Sequence, residues 1–462
     1  MTATKPDYTA HPASYKDPSG FVFRSGDSWY RQVNTGYQDH YTQLMRSGLY
    51  RELTGQGLLI AHQEVEDNLT GRTDWYKTLL PLQLPFISYP DEWCPEQLKD
   101  AALLTLRVQK IAMEHGMSLK DATPLNIQFY QGKPLFVDTL SFEIYDPSLP
   151  WIAYRQFCEC FLFPLFLQFH LQFGTSKIAR AWPDGIPAAL TARLLPLKSR
   201  WHLGAWMHVA LQKNVRSDSR NSGRQPAFSK QKLGHLVDHL QSLVSRPAVA
   251  KKTASTWSNY YGETILGNAY LAEKEKLFRQ HLAAMEFTSA LDLGANDGHF
   301  SLILAESKRP VIAVDSDWLC IDNLYKHTRN KEVTNILPLC VDLADPTPAS
   351  GFGNRERAGF TARSGADVVI ALALVHHLSL GMNIPLPLIA DYFGQLTQHN
   401  LIIEFVPLTD PKAQELIAAK RSTPPAYTID DFESGFGTCF SIEKKTAIPG
   451  TERVLYSMKK HH

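Results

Sequence analysis

The sequence predicts an α/β protein whose second half forms a doubly wound, mostly parallel, seven-stranded sheet. Beyond residue 257, apolar and β-prone runs alternate with segments of helical periodicity, which is typical of a parallel sheet covered on both faces. The chain has 462 residues, and single domains usually stop growing near about 250–300 residues. A polar stretch beginning at Lys213 also interrupts the apolar pattern. We therefore expect two domains.

Seven strands are predicted in the second half, and the carboxyl ends of its parallel strands are the expected ligand site. In chain order these strands are SALDLG, RPVIAVD, TNILPLCVD, ADVVIALAL, NLIIEFVP, FSIEKKTA and ERVLYSMKK. The last two are predicted to form an antiparallel hairpin at the edge of the sheet.

Composition divides the chain into four segments. The segment KNVRSDSRNSGRQPAFSKQK is polar and nearly free of aliphatic residues, so a packed core cannot continue through it. We expect a flexible tail over 1–20, a first domain over 21–245 with a mobile loop at about 213–230, a linker over 246–256, and a second domain over 257–462.

Charge and cysteine content exclude several classes of protein. Lys plus Arg (47) and Asp plus Glu (46) nearly cancel, so no field of the whole chain attracts nucleic acid or an anionic membrane. The six cysteines form no C-x-x-C pair, which argues against a zinc site and a disulfide framework. The start of the chain has neither a signal peptide nor an apolar anchor, so we expect a cytoplasmic protein without a membrane span. Oligomeric state is not indicated.

Polar residues follow three predicted strands of the second half. The first strand leads into the turn Gly294-Ala295-Asn296-Asp297-Gly298, whose glycines allow a ligand to approach the backbone closely. The second strand ends in Asp315, 21 residues after Gly294, where a carboxylate can accept hydrogen bonds from both ribose hydroxyls of a nucleoside. The third ends in Asp342, beside the expected position of an adenine ring. These spacings predict one nucleoside pocket.

The motifs LDLGANDGHFSLILA, VIAVDSD, CVDLADP and ADVVIALALVHHL resemble those of class I S-adenosylmethionine-dependent methyltransferases. The spacing of GANDGH does not fit the G-x-G-x-x-G motif that a dinucleotide requires. The resemblance implies S-adenosyl-L-methionine as cofactor and S-adenosyl-L-homocysteine as product. The residues that it implies for cofactor binding are Asp292, Gly294, Asn296, Asp297, Gly298, Asp315, Ser316, Asp342, Leu343, Ala371, Leu372 and, in the lead-in segment, Tyr261.

The fourth strand leads into His376 and His377, which are the predicted catalytic residues. An imidazole near neutral pKa can remove the proton of an attacking oxygen or nitrogen. Either histidine fits this role, and Glu404, at the end of the fifth strand, is the second choice.

The first domain carries a different resemblance. Asp121 and Asn126 have the D-x-x-x-x-N spacing, and Asp138 follows 12 residues later, after a short hairpin. These motifs resemble the catalytic loop and metal-binding aspartate of the protein-kinase and aminoglycoside-phosphotransferase superfamily. The resemblance implies an α+β kinase-like domain in which these residues form an Mg and phosphate site. The glycine-rich phosphate loop is absent, and Arg31 occupies the position of the phosphate-anchoring lysine. We therefore expect a substrate-recognition domain, with Mg/ATP only if it is active.

Together the two halves resemble bacterial nodulation-type or biosynthetic methyltransferases. The resemblance implies methyl transfer to an oxygen or nitrogen of a small molecule or glycan, without a metal in the methyltransferase domain. Two alternatives stay open: a bifunctional methyltransferase and phosphotransferase, and a non-catalytic binding protein with a vestigial cofactor pocket.

Overall fold

The chain folds into two compact units, whose boundary lies beyond the polar stretch that interrupts the apolar pattern. The computed structural model describes residues 7–174, 176–213, 229–248, 267–420 and 426–461. The first unit comprises Met1–Thr253 and Ala349–Ala358, and the second comprises Ala254–Pro348 and Gly359–His462. Most of the predicted loop at 213–230 and of the predicted linker lies outside the described residues.

The first unit is built around a five-stranded antiparallel sheet and a long buried helix. Its strands are β1 (Thr9–Ala10), β2 (Gly20–Ser25), β3 (Ser28–Asn34), β4 (His62–Val65), β5 (Trp75–Pro81), β6 (Met117–Leu119), β7 (Ile127–Tyr130), β8 (Lys133–Phe136) and β9 (Phe142–Ile144). The order in the main sheet is β1-β2-β3-β5-β4, and β6-β9 and β7-β8 form two small ribbons. The α+β composition expected for this half is therefore present.

The helices of the first unit include a π-helical turn in its most apolar segment. They are α1 (Gln38–Arg46), α2 (Leu49–Gly55), α3 (Pro95–Glu114), α4 (Tyr154–Phe157), α5 (Phe163–Leu171), α6 (Ser176–Ala181), α7 (Ala188–Leu194), α8 (Leu203–Lys213) and α9 (Lys230–Val244). The turn Cys158–Leu162 joins α4 to α5 and is buried throughout. Proline at N1 of α3 suits the start of that helix, because its missing N–H has no partner there in any case.

The second unit contains a seven-stranded sheet in the order β12-β11-β10-β13-β14-β16-β15. Its strands are β10 (Ala290–Leu293), β11 (Val311–Asp315), β12 (Ile336–Cys340), β13 (Ala366–Ala371), β14 (Thr397–Phe405), β15 (Phe440–Ala447) and β16 (Val454–Lys460). Strands β10 to β14 are parallel, and β16 pairs antiparallel with both β14 and β15. The mixed α/β class predicted from the sequence is confirmed.

Helices cover the faces of this sheet. They are α10 (Gly267–Leu282), α11 (His299–Ala305), α12 (Trp318–Asn330), α13 (Phe360–Arg363), α14 (Leu386–Leu396), α15 (Pro411–Ala418) and α16 (Ile429–Phe436). Every residue of β10 and β13 is buried, which explains why these strands read as continuous apolar runs. A π-helical turn, His377–Gly381, follows β13.

One part of the predicted second domain packs elsewhere. Residues 349–358 belong to the first unit. The carboxylate of Glu356 accepts a hydrogen bond of 2.6 Å from the Tyr15 hydroxyl and lies 2.8 Å from the Lys16 ammonium. The domain boundaries predicted from the sequence placed this segment in the second domain. Patterns of neighbouring residues do not reveal ion pairs between residues more than 300 positions apart.

Candidate cofactor site in the second unit

A cavity of about 350 Å³ opens where the carboxyl ends of β10 to β13 meet. That volume falls within the range of small-molecule sites. Eight of the residues predicted for binding or catalysis line it: Gly294, Asn296, Asp315, Ser316, Asp342, Leu343, Leu372 and His377. Parallel strands end at the same edge of a sheet, so residues far apart in sequence converge there.

The turn after β10 has the left-handed backbone that its sequence suggests. Gly294 has a φ of +75°, Asn296 of +52° and Gly298 of +86°. A Cβ atom on Gly298 would lie 2.3 Å from Cδ1 of Leu324, and this contact together with the positive φ favours glycine there. Asparagine is among the few other residues that tolerate φ above zero. Asn296 can therefore replace a glycine without changing the course of the turn.

Asp315 lies at the end of β11, with both carboxylate oxygens already engaged. Its Oδ2 accepts from the backbone N–H of Asn296, and its Oδ1 from that of Asp317, each at 2.8 Å. Each carboxylate oxygen has a further lone pair, which leaves capacity for two hydroxyl donors. Burial raises the pKa of Asp315 to about 6. The carboxylate is thus ionised at neutral pH and held in a fixed orientation.

The side of the cavity formed by β12 and β13 is mostly apolar. Val341 and Leu343 contribute from the β12 end, and Leu372, Ala373 and Leu374 from the β13 end. Ala373 has a φ of +52°, an uncommon conformation for a residue with a side chain. A flat ring between these walls would lie against aliphatic carbon, with the Asp342 carboxylate at the rim of the same cavity.

His377 begins the π-helical turn and lines the cavity. Burial and the charge of Arg453 lower its pKa to about 4, so the ring is neutral at pH 7 but is a weaker base than the near-neutral imidazole expected from the sequence. His376 does not line the cavity: it is fully buried, and its ring centroid lies 4.1 Å from that of His377. Of the two predicted histidines, only His377 is at the surface of this site.

Glu404 is part of a buried charge network. Its carboxylate lies 2.5 Å from the ammonium of Lys274 and 3.2 Å from the guanidinium of Arg453, and it accepts from the Tyr270 hydroxyl at 2.7 Å. Arg453 also lies 2.7 Å from a carboxylate oxygen of Asp410. Glu404 is fully buried and does not line the cavity, so it supports the site from beneath.

Four other predicted residues that the structure describes do not line the cavity. Asp292 is buried, accepts a hydrogen bond of 2.6 Å from Ser301, and has a pKa raised to about 7 by burial. Asp297, Gly298 and Ala371 shape the neighbouring turn and strand without reaching the cavity surface. Tyr261 lies outside the described residues.

Sequence reasoning missed several residues of the lining. Lys274, on α10, reaches the cavity although only 3% of it is exposed, and Leu416 comes from α15. The other missed residues are Val341, Ala373, Leu374, Leu378, Gly381 and Met382. Lys274 is a charged residue on a buried helix face, which is rare without a partner. Burial of this face is a property of the folded protein, so no sequence pattern pointed to Lys274.

The first-unit residues for which a kinase-like site was predicted include several that contact one another. The guanidinium of Arg31, on β3, is 2.6 Å from Oδ1 of Asp138. Ser141 donates to Oδ2 of Asp138 at 2.6 Å and accepts from the Asn126 amide at 2.9 Å. Burial, followed by the charge of Asp138, raises the pKa of Asp121.

The side chains of Asp121, Asn126 and Asp138 do not form a magnesium site in this arrangement, because the guanidinium of Arg31 already neutralises Asp138. Over the residues that the structure describes, no group of three or more His, Cys, Asp or Glu side chains is placed to hold a metal ion. Within the same residues, no helix combines the length and apolarity needed to cross a membrane.

The fold and the site define a class: mixed α/β proteins with a ligand cavity at the carboxyl edge of a largely parallel sheet. The chain belongs to the family of the nodulation protein NoeA. It is 30% identical to NoeA of Rhizobium meliloti (strain 1021) over 458 residues, which cover 97% of this chain and 95% of that protein. No protein-family model matches the chain.

Solved structures resemble parts of the chain. The N-methyltransferase NodS from Bradyrhizobium japonicum WM9 is 12% identical, with a TM-score of 0.33, over 42% of this chain and 98% of NodS. The magnesium protoporphyrin IX methyltransferase ChlM from Synechocystis PCC 6803, with bound S-adenosylhomocysteine, is 15% identical, with a TM-score of 0.32, over 44% of this chain and 93% of ChlM.

Proposed function

We propose that the second unit transfers a methyl group from S-adenosyl-L-methionine to an oxygen or nitrogen of a small molecule or glycan. The observation that carries this proposal is the convergence of four strand ends, through Gly294, Asp315, Asp342 and Leu372, on one cavity of about 350 Å³. The turn at Gly294 lacks the spacing that a pyrophosphate requires, which favours a nucleoside without phosphates.

Each wall of the cavity suits one part of such a ligand. The carboxylate of Asp315, oriented by two backbone N–H groups, would accept from the ribose hydroxyls. Leu343 and Leu372 would hold the adenine ring, with Asp342 as acceptor for its exocyclic amine. Gly294 and Asn296 would hold the methionine end. When bound, S-adenosylmethionine supplies a methyl group activated by its sulfonium charge.

His377 is the proposed proton acceptor. It is the predicted histidine that lines the cavity, its imidazole is neutral at pH 7, and its pKa of about 4 makes it a weak general base. The ion pairs of Lys274 with Glu404 and of Arg453 with Asp410 balance the buried charges beneath the site. This balance leaves Asp315 and Asp342 to favour a cationic ligand.

We further propose that the first unit, whose motifs resemble those of kinases, serves substrate recognition. The pairing of Asp138 with Arg31 supports this role over phosphotransfer, because the carboxylate expected to hold magnesium already has a cationic partner.

Thermal unfolding of the full-length protein tests the proposal. S-adenosylhomocysteine alone should raise the melting temperature, because a ligand at about 100 times its Kd adds about 2.7 kcal/mol of stability. ATP with magnesium should leave it unchanged. Absence of a shift with S-adenosylhomocysteine would refute the cofactor assignment, and a shift with ATP and magnesium would instead favour the bifunctional alternative.

A further inference from the structure

The first unit contains a second cavity, of about 80 Å³, whose lining includes neither Asp121 nor Asp138. Asp91 and Trp93 line it after β5, and Pro124 lines it from the loop between β6 and β7. The volume accommodates about five to eight groups of the size of water, which is comparable to the ring of one small ligand.

One wall of this cavity is rigidly built. The π-helical turn contributes Glu159 and Cys160, and the loop after α6 contributes Trp182 and Gly185. A Cβ on Gly185, whose φ is +108°, would lie 2.7 Å from the Cβ of Glu159, so this loop requires glycine to pack so closely. The N–H of Ile186 donates to the Glu159 carbonyl at 2.8 Å and fastens the loop to the turn. π-Helical turns are frequent at functional sites.

The four ionic side chains that line the cavity have no net charge, and Glu159 is also paired with Arg155, outside the lining, at 3.1 Å. Asp91 and Glu159 supply two carboxylates, while Arg180 and Arg357 supply two guanidinium groups. Asp91 lies 3.3 Å from Arg180, which fixes both side chains at the cavity. A zero net charge disfavours a phosphorylated or otherwise anionic ligand, and four ionic groups disfavour a wholly apolar one. Carboxylates accept and guanidinium groups donate, which matches hydroxyls that do both.

Two indole rings complete the cavity. Trp93 is 3% exposed and forms part of the interior, whereas Trp182 is 40% exposed. An indole presents a broad apolar face at little entropic cost, and a ligand covering Trp182 would remove that face from water. The cavity therefore requires a ligand that is neutral, rich in hydroxyls and apolar on one face of a ring.

We propose that this cavity binds one pyranose ring of a neutral sugar. The ring's C–H face packs on the indole of Trp182, and its hydroxyls bond to Asp91 and Arg180. This inference rests on the proposed function in one respect: it gives a chemical class to the recognition role of the first unit. Binding itself does not require methyl transfer.

Saturation-transfer NMR on the full-length protein tests the proposal. The probes are the methyl pyranosides of glucose, galactose, mannose and N-acetylglucosamine at millimolar concentration, with inorganic phosphate and AMP as anionic competitors. At least one pyranoside should receive saturation through its ring protons. Trp182→Ala should weaken that binding by about two- to tenfold, the range expected for loss of one aromatic contact. Asp91→Asn should also weaken it.

Trp29→Ala is the matched control. Trp29 is 39% exposed and Trp182 is 40% exposed, but Trp29 lies on β3 outside the cavity. This variant should bind the sugar as the wild type does. The proposal is overturned if no pyranoside binds, if Trp182→Ala binds unchanged, or if phosphate or AMP displaces the sugar. S-adenosylhomocysteine binding, measured in the same samples, should persist in Trp182→Ala, so failure of the sugar site is distinguishable from failure of the cofactor site.

Discussion

The two cavities both border a π-helical turn, but they are assembled in different ways. In the second unit, successive strand ends deliver Gly294, Asp315 and Asp342 to one edge of a parallel sheet. In the first unit, Asp91 and Trp182 come from short helical segments and loops with no common strand order. A site at the ends of parallel strands can therefore be predicted from strand motifs in the sequence. A site built from loops and short helices has no comparable sequence pattern.

The largest expected effect concerns the support beneath the cofactor cavity. Glu404→Ala leaves Lys274 and Arg453 buried without their shared carboxylate, which should reduce the free energy of unfolding by about 3–5 kcal/mol. Urea denaturation measures this change. Glu306→Ala is the control, because its pair with Arg279 is exposed and is expected to contribute about 0–1 kcal/mol. Equal losses in the two variants would show that the buried network does not support the site.

The next prediction concerns Asp315. Asp315→Ala should weaken binding of S-adenosylhomocysteine by about 10- to 100-fold, since a hydrogen bond to a charged group contributes about 1.5–3 kcal/mol. Calorimetric titration measures the Kd, and Asp315→Asn, which preserves the side-chain volume, should show a smaller loss. Asp317→Ala removes the N-cap of α12 but not a residue of the cavity, so it should lower stability without changing affinity. Unchanged affinity in Asp315→Ala would remove this carboxylate from the site.

A third prediction uses pH to separate ligand binding from folding. Burial raises the pKa of Asp315 to about 6, so S-adenosylhomocysteine affinity should fall as the carboxylate is protonated below that pH, by up to about tenfold per unit. Burial also raises the pKa of Asp292 to about 7, above the value of about 3.9 in the unfolded chain. A raised carboxyl pKa costs stability at high pH, and this cost disappears as pH falls from 7 towards 4.

Protonation of Asp292 and Asp315 should therefore stabilise the unliganded protein over the same pH range in which its affinity for S-adenosylhomocysteine falls. Titrations and melting curves between pH 8 and 5 measure both trends. Asp315→Asn should abolish the pH dependence of affinity near 6. A wild-type affinity that stays constant through this range would contradict the role given to the ionised carboxylate.

The smallest expected effect lies in the turn after β10. Asn296→Gly should change the free energy of unfolding by no more than about 1 kcal/mol, because glycine adopts the left-handed backbone without steric cost. Asn296→Val should cost about 1–2 kcal/mol, because a β-branched residue is strained there. Thermal melting of both variants compares them, and equal stability would show that backbone conformation does not select the residue at this position.

The sequence predicted the strands and the ends that carry Asp315 and Asp342, because apolar runs followed by acidic residues are local features. It did not predict which side chains would reach the cavity. His376 and His377 are adjacent in sequence, yet packing after β13 buries the first and exposes the second at the site. No local sequence pattern distinguishes the two histidines, because the course of the π-helical turn determines which of them reaches the cavity.

Long-range ion pairs were also beyond sequence reasoning. Arg31 and Asp138 were each identified, but their pairing, which opposes a magnesium site, depends on how β3 lies against the segment after β8. Lys274 lines the cavity of the second unit and pairs with Glu404, which lies 130 residues further along the chain. Such contacts depend on tertiary packing and leave no spacing rule in the sequence.

The left-handed backbone at Ala373 has an evolutionary consequence. Alanine costs roughly 1–2 kcal/mol in this region and glycine does not, and a single nucleotide substitution converts an alanine codon into a glycine codon. Laboratory selection for heat resistance therefore has a readily accessible mutation in the wall of the cofactor cavity. Variants with glycine at this position would be more stable to heat but would have a more flexible backbone beside the ligand.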